Sequence, residues 1–187
     1  METTELTERL ARRADADGLV DVAWTTYDSP VGPLVLAATP VGLLTVSYRE
    51  RDPVLDELAA KVSPRVLALP RRLDVTRRQL DAYFAGRRRR FELPLDWSLA
   101  SAFQRTVLAE VARVPYGRVA TYAEVATAIG RPTASRATGG ASARNPIPIV
   151  VPCHRVIGSD GSLTGYGGGI ERKRWLLAHE KRVEQGV

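Results

Sequence analysis

Three β-rich runs joined by short turn sequences constrain the fold of the first half of the chain. The runs "VDVAWTTY", "PLVLAAT" and "LLTVSY" follow one another within residues 20–48, separated by "DSPVGP" and "TPVG". β-Branched and aromatic residues favour strands, whereas Gly, Pro and Asp favour the turns between them. Connections this short join antiparallel neighbours. The sequence therefore predicts a small antiparallel meander.

The rest of the first half predicts helices around this sheet and offers no residues that point to a chemical reaction. Helices are expected at residues 4–14, 52–62 and 71–85, with Gly86 ending the last of them. The stretch "FELPLDW" at 91–97 is either a further strand or a linker. Strands together with helices predict an N-terminal α+β domain over residues 1–98, with residues 1–20 as a helical extension. Because residues 1–98 contain neither histidine nor cysteine, they show no clear chemistry.

The second half carries helix-start signals in place of strand patterns. "SAFQ" (Ser101–Gln104) and "TYAE" (Thr121–Glu124) are capping boxes, each opening a helix. A third helix is predicted at 133–141 and a last one at 171–184. Two short helices joined by a tight turn are typical of a helix-turn-helix. Residues 99–187 are therefore predicted to be a mostly helical domain, which makes the whole chain α+β.

The second helix of this hairpin is unusual for a reader of the DNA major groove. Its sequence, "SRATGGASA", offers one long side chain, Arg136, among small residues. A smooth face with one protruding arginine suits the minor groove, where the side chain can wedge into the base stack. Alternatively, Gly139 and Gly140 merely end a helix. From these residues alone, the end of a helix is the favoured interpretation.

Charge and cysteine usage narrow the functional class. Residues 1–98 carry 15 basic and 15 acidic side chains, whereas residues 99–187 carry 12 basic and 6 acidic ones. This asymmetry favours a polyanionic partner for the second half, although an arginine-rich composition can also arise without one. A single cysteine cannot form an internal disulfide or a multi-cysteine zinc site. With no apolar signal region or membrane-length apolar run, we expect a cytoplasmic protein without membrane contact.

The only cysteine, Cys153, lies in "IPIVVPCHRVIG" beside His154 and Arg155. It could be a small buried hydrophobic residue, the nucleophile of a cysteine hydrolase, or a thiolate that accepts a group and keeps it. Cationic, hydrogen-bonding neighbours favour the reactive thiolate. Adjacent residues of extended chain point to opposite sides, so contact between thiol and imidazole through a water is more natural than direct contact.

"NPIPIVVPCHRVIG" together with "GYGGGIERKRWLLAHE" resembles the methylated-DNA–protein-cysteine methyltransferases, also called O6-alkylguanine-DNA alkyltransferases. The resemblance is dense over residues 100–182 and looser over 22–95. It implies direct-reversal DNA repair by a single-turnover suicide enzyme, which moves the alkyl group of O6-alkylguanine, and of O4-methylthymine, to its cysteine. The target nucleotide is flipped out of the duplex. No cofactor and no metal are implied.

The resemblance also implies a role for each matching residue. Cys153 is the nucleophile, His154 deprotonates it through a water, and Glu180 orients the imidazole. Tyr122 donates to the leaving base, and Asn145 holds the turn before the active-site segment. The remaining implied contacts comprise the DNA-binding residues Arg136, Thr121, Ala137, Gly139, Gly140 and Ala141 and the base-pocket residues Val156, Tyr166 and Gly167.

The implied partner is double-stranded DNA carrying O6-alkylguanine, bound through the minor groove by a monomer that can assemble cooperatively. His179 matches no catalytic position, so we expect it to pack near Trp175. Two other classes stay open: a non-catalytic lesion-binding or sensing protein, and a cysteine hydrolase that turns over many substrates.

Overall fold

The computed structural model describes residues 2–186, which divide into two compact units. The first unit comprises residues 1–81 and 92–99, and the second comprises residues 82–91 and 100–187. Residues 82–91, which the sequence-based boundary at 98 places in the first domain, thus group with the second unit.

The first unit is built on a four-stranded sheet with the order β3-β2-β1-β4. The strands are β1 (Val22–Ser29), β2 (Gly32–Ala38), β3 (Leu43–Ser47) and β4 (Val66–Ala68). The predicted antiparallel meander of β1 to β3 is confirmed. However, β4 pairs with β1 in parallel, so the sheet is mixed rather than purely antiparallel. A helical connection between β3 and β4 makes the parallel pairing possible.

The two faces of this sheet are buried against different helices. Neighbouring residues in a strand point to opposite faces. Val22 belongs to the cluster that contains Val54 and Leu58 of α2 (Arg51–Lys61), whereas Ala23 belongs to the cluster that contains Ala11 of α1 (Glu2–Ala16). β1 is thus buried on both faces, and this burial of apolar area stabilises the unit.

The end of the first unit is less regular than predicted. A 3-10 turn at Pro70–Leu73 precedes α3 (Asp74–Phe84), because a proline at the first helical position fixes the turn without costing a hydrogen bond. Residues 91–97 form no strand beyond an isolated bridge between Leu95 and Leu43. The linker interpretation of this segment therefore applies.

The second unit is mostly helical, as predicted. It contains α4 (Ala102–Val111), β5 (Ala120–Thr121), α5 (Tyr122–Ala128), α6 (Ser135–Ala143), a 3-10 turn at Cys153–Arg155, β6 (Val156–Ile157) and α7 (Ile170–Gln185). Helices α5 and α6 form the predicted hairpin. None of the helices within residues 2–186 is long and apolar enough to span a bilayer.

Both predicted helix starts in this unit are found, although they differ in detail. Thr121 and Glu124 form a complete reciprocal capping box on α5. On α4, Ser101 caps the backbone N–H of Gln104, but the Gln104 side chain donates to the carbonyls of Ala141 and Arg144 instead of completing the box. Gln104 thus ties α4 to the end of α6.

Candidate active site

The segment before the cysteine is a strained turn held by one asparagine. Asn145 Nδ2 donates to the carbonyl of Val151 at 2.8 Å and to Cys153 Sγ at 3.1 Å, while its Oδ1 accepts the N–H of Ile147 at 3.0 Å. Ile149 has a φ of 73°, which is costly for a β-branched residue. The surrounding hydrogen bonds maintain a conformation that the sequence alone disfavours.

Cys153 is buried and is a neutral thiol at rest. Only 4 % of the residue is exposed. Burial raises the pKa of Cys153 to about 11, despite the opposing effects of the Asn145 hydrogen bond and the Lys173 charge. The cationic neighbours in sequence therefore do not bring the pKa of the resting thiol below its ordinary value. The reason is that Arg155 directs its guanidinium at a carboxylate, while desolvation opposes the charged form of the thiol.

His154 and Glu180 form a fully buried pair. His154 Nε2 lies 2.8 Å from Glu180 Oε1, and both side chains are 0 % exposed. Burial lowers the pKa of His154 below its ordinary value, although Glu180 opposes this shift. The imidazole is thus neutral near pH 7, with its proton on Nε2 facing the carboxylate. His154 Nδ1 is buried and forms no hydrogen bond with the residues described, so its lone pair can accept a proton.

The Glu180 carboxylate is the centre of a larger network than the sequence indicates. Arg155 donates to it through both Nε and Nη2 at 2.9 Å. Tyr83 donates its hydroxyl to Oε1 at 2.8 Å, and the N–H of Gly117 donates to Oε2 at 3.1 Å. Burial alone raises the pKa of Glu180, but its bonds with His154 and Arg155 outweigh that effect and hold the pKa well below the ordinary range. The carboxylate therefore stays ionised and fixes the His154 tautomer.

A short parallel ladder brings Tyr122 to the active-site segment. β5 pairs with β6, with Ala120 opposite Val156. The next residue after β5 is Tyr122, whose hydroxyl donates to the carbonyl of Thr164 at 2.6 Å. Burial, followed by the charge of Cys153, raises the pKa of Tyr122 to about 12. The phenol therefore keeps its proton at neutral pH and remains a hydrogen-bond donor near the thiol.

Lys173 is a buried cation beside these groups. The residue is 0 % exposed, and its Nζ donates to the carbonyls of Val156 at 2.6 Å and Thr164 at 2.9 Å. Nζ also lies 3.4 Å from the hydroxyl of Tyr122. Burial lowers the pKa of Lys173 to about 8, against the opposing effect of the Cys153 charge. A positive charge is thus available to stabilise the thiolate when it forms.

A cavity of about 790 Å³ lies between the helical hairpin and the loop after β6. Arg136 and Gly139 of α6 line it together with Tyr122, Thr164 and Gly165. At Gly165, which has a φ of 71°, a Cβ atom would approach the Tyr122 hydroxyl to 3.0 Å. The hairpin arginine and the phenol therefore line the same opening.

The predicted DNA-facing residues of α6 do not all face outward. Arg136 and Ala137 are exposed, and Gly139 and Gly140 are partly exposed. Ala141, however, is only 1 % exposed because this turn of α6 packs into the unit's core, so its side chain does not face outward as predicted. The two glycines lie inside α6 and do not end it.

The structure also places the predicted base-pocket residues, together with Thr121 and His179. Tyr166 is buried, and Gly167 is exposed but packs so tightly that a Cβ atom there would clash with the Ala143 carbonyl. The Val156 carbonyl already accepts Lys173. Thr121 caps α5 at the partly exposed β5 edge. His179 stacks on Trp175 with ring centroids 5.1 Å apart, which confirms its predicted packing.

Tyr83, Arg155 and Lys173 are parts of the site that sequence reasoning missed. Arg155 lies inside the motif, but its contact with Glu180 was not predicted. Lys173 is one of three lysines among 27 cationic side chains, so its rarity was the available signal. Tyr83 has no such signal, since it lies in a helix of the first half. Its segment also adds the run Arg87–Arg90 to the second unit, which then carries sixteen basic and six acidic residues.

Comparison with known proteins gives the same family over both units. Residues 102–182 match the family described as "6-O-methylguanine DNA methyltransferase, DNA binding domain", and residues 22–97 match its "ribonuclease-like domain". A methylated-DNA–protein-cysteine methyltransferase of Mycolicibacterium paratuberculosis is 44% identical, covering 86% of this chain and 93% of its own length. The constitutive enzyme of Bacillus subtilis is 38% identical, with coverages of 84% and 94%.

Solved structures agree with these relatives. A Mycobacterium tuberculosis protein, described as OGT in complex with DNA, matches with a TM-score of 0.75 and 41% identity, over 86% of this chain and 94% of that one. The chain therefore belongs to the 6-O-methylguanine DNA methyltransferase family.

Proposed function

We propose that this protein repairs DNA by moving the alkyl group of O6-alkylguanine to Cys153, where it stays. The observation that carries the proposal is the buried thiol of Cys153, which is held by Asn145 and lies beside a neutral His154. Nε2 of His154 is fixed by the ionised carboxylate of Glu180. This arrangement supplies a nucleophile, a base and an orienting group, as in the triads of hydrolases.

The chemistry follows from the protonation states. The thiol proton passes to Nδ1 of His154, directly or through a water, and Sγ attacks the alkyl carbon. The S–C bond forms as the C–O6 bond breaks, and its electron pair goes to guanine. Glu180 stabilises the imidazolium and Lys173 stabilises the thiolate. Tyr122 gives up its hydrogen bond to the Thr164 carbonyl and donates to the base as negative charge develops there.

DNA recognition is proposed to use the α5–α6 hairpin from the minor groove. Arg136 takes the place of the flipped nucleotide, while Ala137, Gly139 and Gly140 allow close backbone approach and Thr121 contacts a phosphate. Val156, Tyr166 and Gly167 border the base. The excess of sixteen basic over six acidic residues in the second unit supports binding to a polyanion. A monomer suffices for this proposal.

The proposal predicts a single methyl group on Cys153 after reaction with a duplex carrying one O6-methylguanine. Intact mass and a peptide map measure the extent and the position of the modification. Wild-type protein should stop at one equivalent, because no group in the site removes a thioether-bound methyl. A Cys153→Ser variant should bind the same duplex without gaining mass.

Two results would contradict this prediction in different ways. Unmodified wild-type protein that binds the lesion tightly would instead mark a lesion sensor. Release of many product molecules for each thiol would mark a hydrolase.

Arg136→Ala is expected to slow repair of duplex DNA by about ten-fold or more, while reaction with the free O6-alkylguanine base changes little. The reason is that the arginine stabilises the flipped state and takes no part in the chemical step. Single-turnover rates on the two substrates measure the difference. Arg131→Ala is the matched control, since Arg131 is an exposed arginine of the same hairpin that lies over Phe103 and outside the cavity lining.

Equal losses on duplex and free base would contradict the role of Arg136. So would an equal loss of duplex repair in Arg131→Ala, because the effect would then come from net charge alone.

A further inference from the structure

The hydroxyl of Tyr83 contacts the carboxylate that orients the base. Tyr83 lies at the end of α3, is 0 % exposed, and donates to Glu180 Oε1 at 2.8 Å. The same oxygen accepts Nε2 of His154 at 2.8 Å. We propose that Tyr83 is a positioning residue for alkyl transfer. Its hydroxyl fixes the Glu180 carboxylate and weakens the electrostatic attraction between this carboxylate and the His154 imidazolium. This inference rests on the function proposed above.

The Tyr83 ring is held rigidly, so its hydroxyl has a defined place. Four rings surround it with centroids 5.3 to 6.0 Å away, those of Phe84, Phe91, Tyr116 and His179. His179 Nε2 lies 3.0 Å from the Tyr83 carbonyl, which anchors the backbone as well. A donor locked in this way fixes the carboxylate rotamer without losing further side-chain entropy.

Three donors share Glu180 Oε1: the Tyr83 hydroxyl, His154 Nε2 and Arg155 Nη2. Hydrogen bonds to a charged acceptor stabilise it and spread its charge, so each donor reduces what remains for the others. Burial, followed by the Glu180 charge, raises the pKa of Tyr83 well above its ordinary value. Tyr83 therefore remains a donor throughout the working pH range.

The charges acting on His154 come from few groups. Glu180 favours its protonated form, whereas Arg155 and Lys173 oppose it. Cys153 precedes it in the chain. Without the Tyr83 hydroxyl, Oε1 has one donor fewer and interacts more strongly with the imidazolium. The pKa of His154 should then rise, which leaves less neutral base available in mildly acidic solution.

Tyr83→Phe tests this inference, with Tyr116→Phe as its matched control. Tyr116 lies edge-on to Tyr83, near the same Arg155, but its buried hydroxyl makes no hydrogen bond with any residue in 2–186. We expect Tyr83→Phe to move the acid limb of the pH–rate profile upward by roughly half a pH unit, measured with free O6-alkylguanine base. Tyr116→Phe should leave the limb in place.

A titration that does not depend on activity separates this inference from the proposed function. The chain has only two histidines, so imidazole NMR signals can be followed individually, with His154→Gln assigning them. The pKa of His154 should rise in Tyr83→Phe and stay unchanged in Tyr116→Phe. Melting temperatures of both variants show whether each one is folded under the titration conditions.

The outcomes distinguish the two ideas. Wild-type protein that never alkylates Cys153 would overturn the proposed function, and the titration would still decide whether Tyr83 acts on His154. An unchanged His154 titration and pH profile in folded Tyr83→Phe would overturn the positioning role. An equal shift in Tyr116→Phe would also overturn it, because packing of the aromatic cluster would then be the cause.

Discussion

Glu180→Gln is expected to lower both the stability of the protein and the rate of alkyl transfer. The variant keeps the size of the side chain but removes the buried charge that Arg155 and His154 face. Removing one partner of a buried ion pair costs about 3–5 kcal/mol, because the other charge stays buried without compensation. Urea denaturation measures the free energy of unfolding.

The rate should fall at least about 100-fold, since the neutral amide neither fixes the His154 tautomer nor stabilises the imidazolium. Single-turnover kinetics with free O6-alkylguanine base measures this rate without the step of DNA binding. Glu184→Gln is the matched control, one turn further along α7, because Glu184 forms a 3.5 Å pair with the exposed Arg118. Surface pairs of this kind contribute less than about 1 kcal/mol.

Equal effects of the two variants would contradict the central place of Glu180. The prediction also fails if Glu180→Gln loses stability but transfers alkyl groups at the wild-type rate, because the carboxylate would then be structural only.

Lys173→Met is expected to have the second large effect, a loss of about 10- to 100-fold in the rate of alkyl transfer at neutral pH. Methionine keeps the apolar length of the chain but removes the charge near the thiol and the donor to the Val156 and Thr164 carbonyls. Lys181→Met, an exposed change on the same helix, is the control. A wild-type rate in Lys173→Met would exclude electrostatic support of the thiolate by this lysine.

The pKa of Lys173 determines in which direction the rate should change with pH. Because the pKa of Lys173 is about 8, its charge is lost as the pH rises through that value, so the wild-type rate should fall on the alkaline side. The acid limb should lie below the ordinary histidine value of 6.5, since the pKa of His154 is lowered. Lys173→Met should lack the alkaline limb and keep the acid one.

The same shift predicts how stability changes with pH. Between about 8 and the ordinary lysine value of 10.5, the unfolded chain binds a proton at Lys173 that the folded protein has lost, so this group makes stability rise with pH. Cys153, with a pKa raised from 9.0 to about 11, acts in the opposite direction above pH 9. From pH 8 to pH 9, the urea midpoint of the wild-type protein should therefore rise relative to that of Lys173→Met.

Local signals in the sequence predicted much of the fold. The turns between the β-runs required antiparallel neighbours, and the capping box at Thr121 and Glu124 set the start of α5. These features depend on residues close together in the chain. The parallel partner β4 was missed because its pairing with β1 depends on a connection through α2, which no local pattern encodes.

The protonation states of the site were beyond sequence reasoning. "PCHR" places cations beside the thiol in the chain, yet Arg155 turns to Glu180 and burial raises the pKa of Cys153. Desolvation depends on what covers a group, and this is set by packing between distant segments. The inward orientation of Ala141 has the same origin.

The sequence by itself determined most of the local elements and the family, and it indicated Cys153 as the candidate nucleophile, because these depend on short-range propensity and on a motif of contiguous residues. Only the tertiary structure decided that Tyr83, 97 residues from Glu180, and Lys173, 51 residues from Tyr122, belong to the site. Both side chains act through hydrogen bonds and charges in a buried environment. Those interactions extend over a few ångströms of space, whatever the separation along the chain.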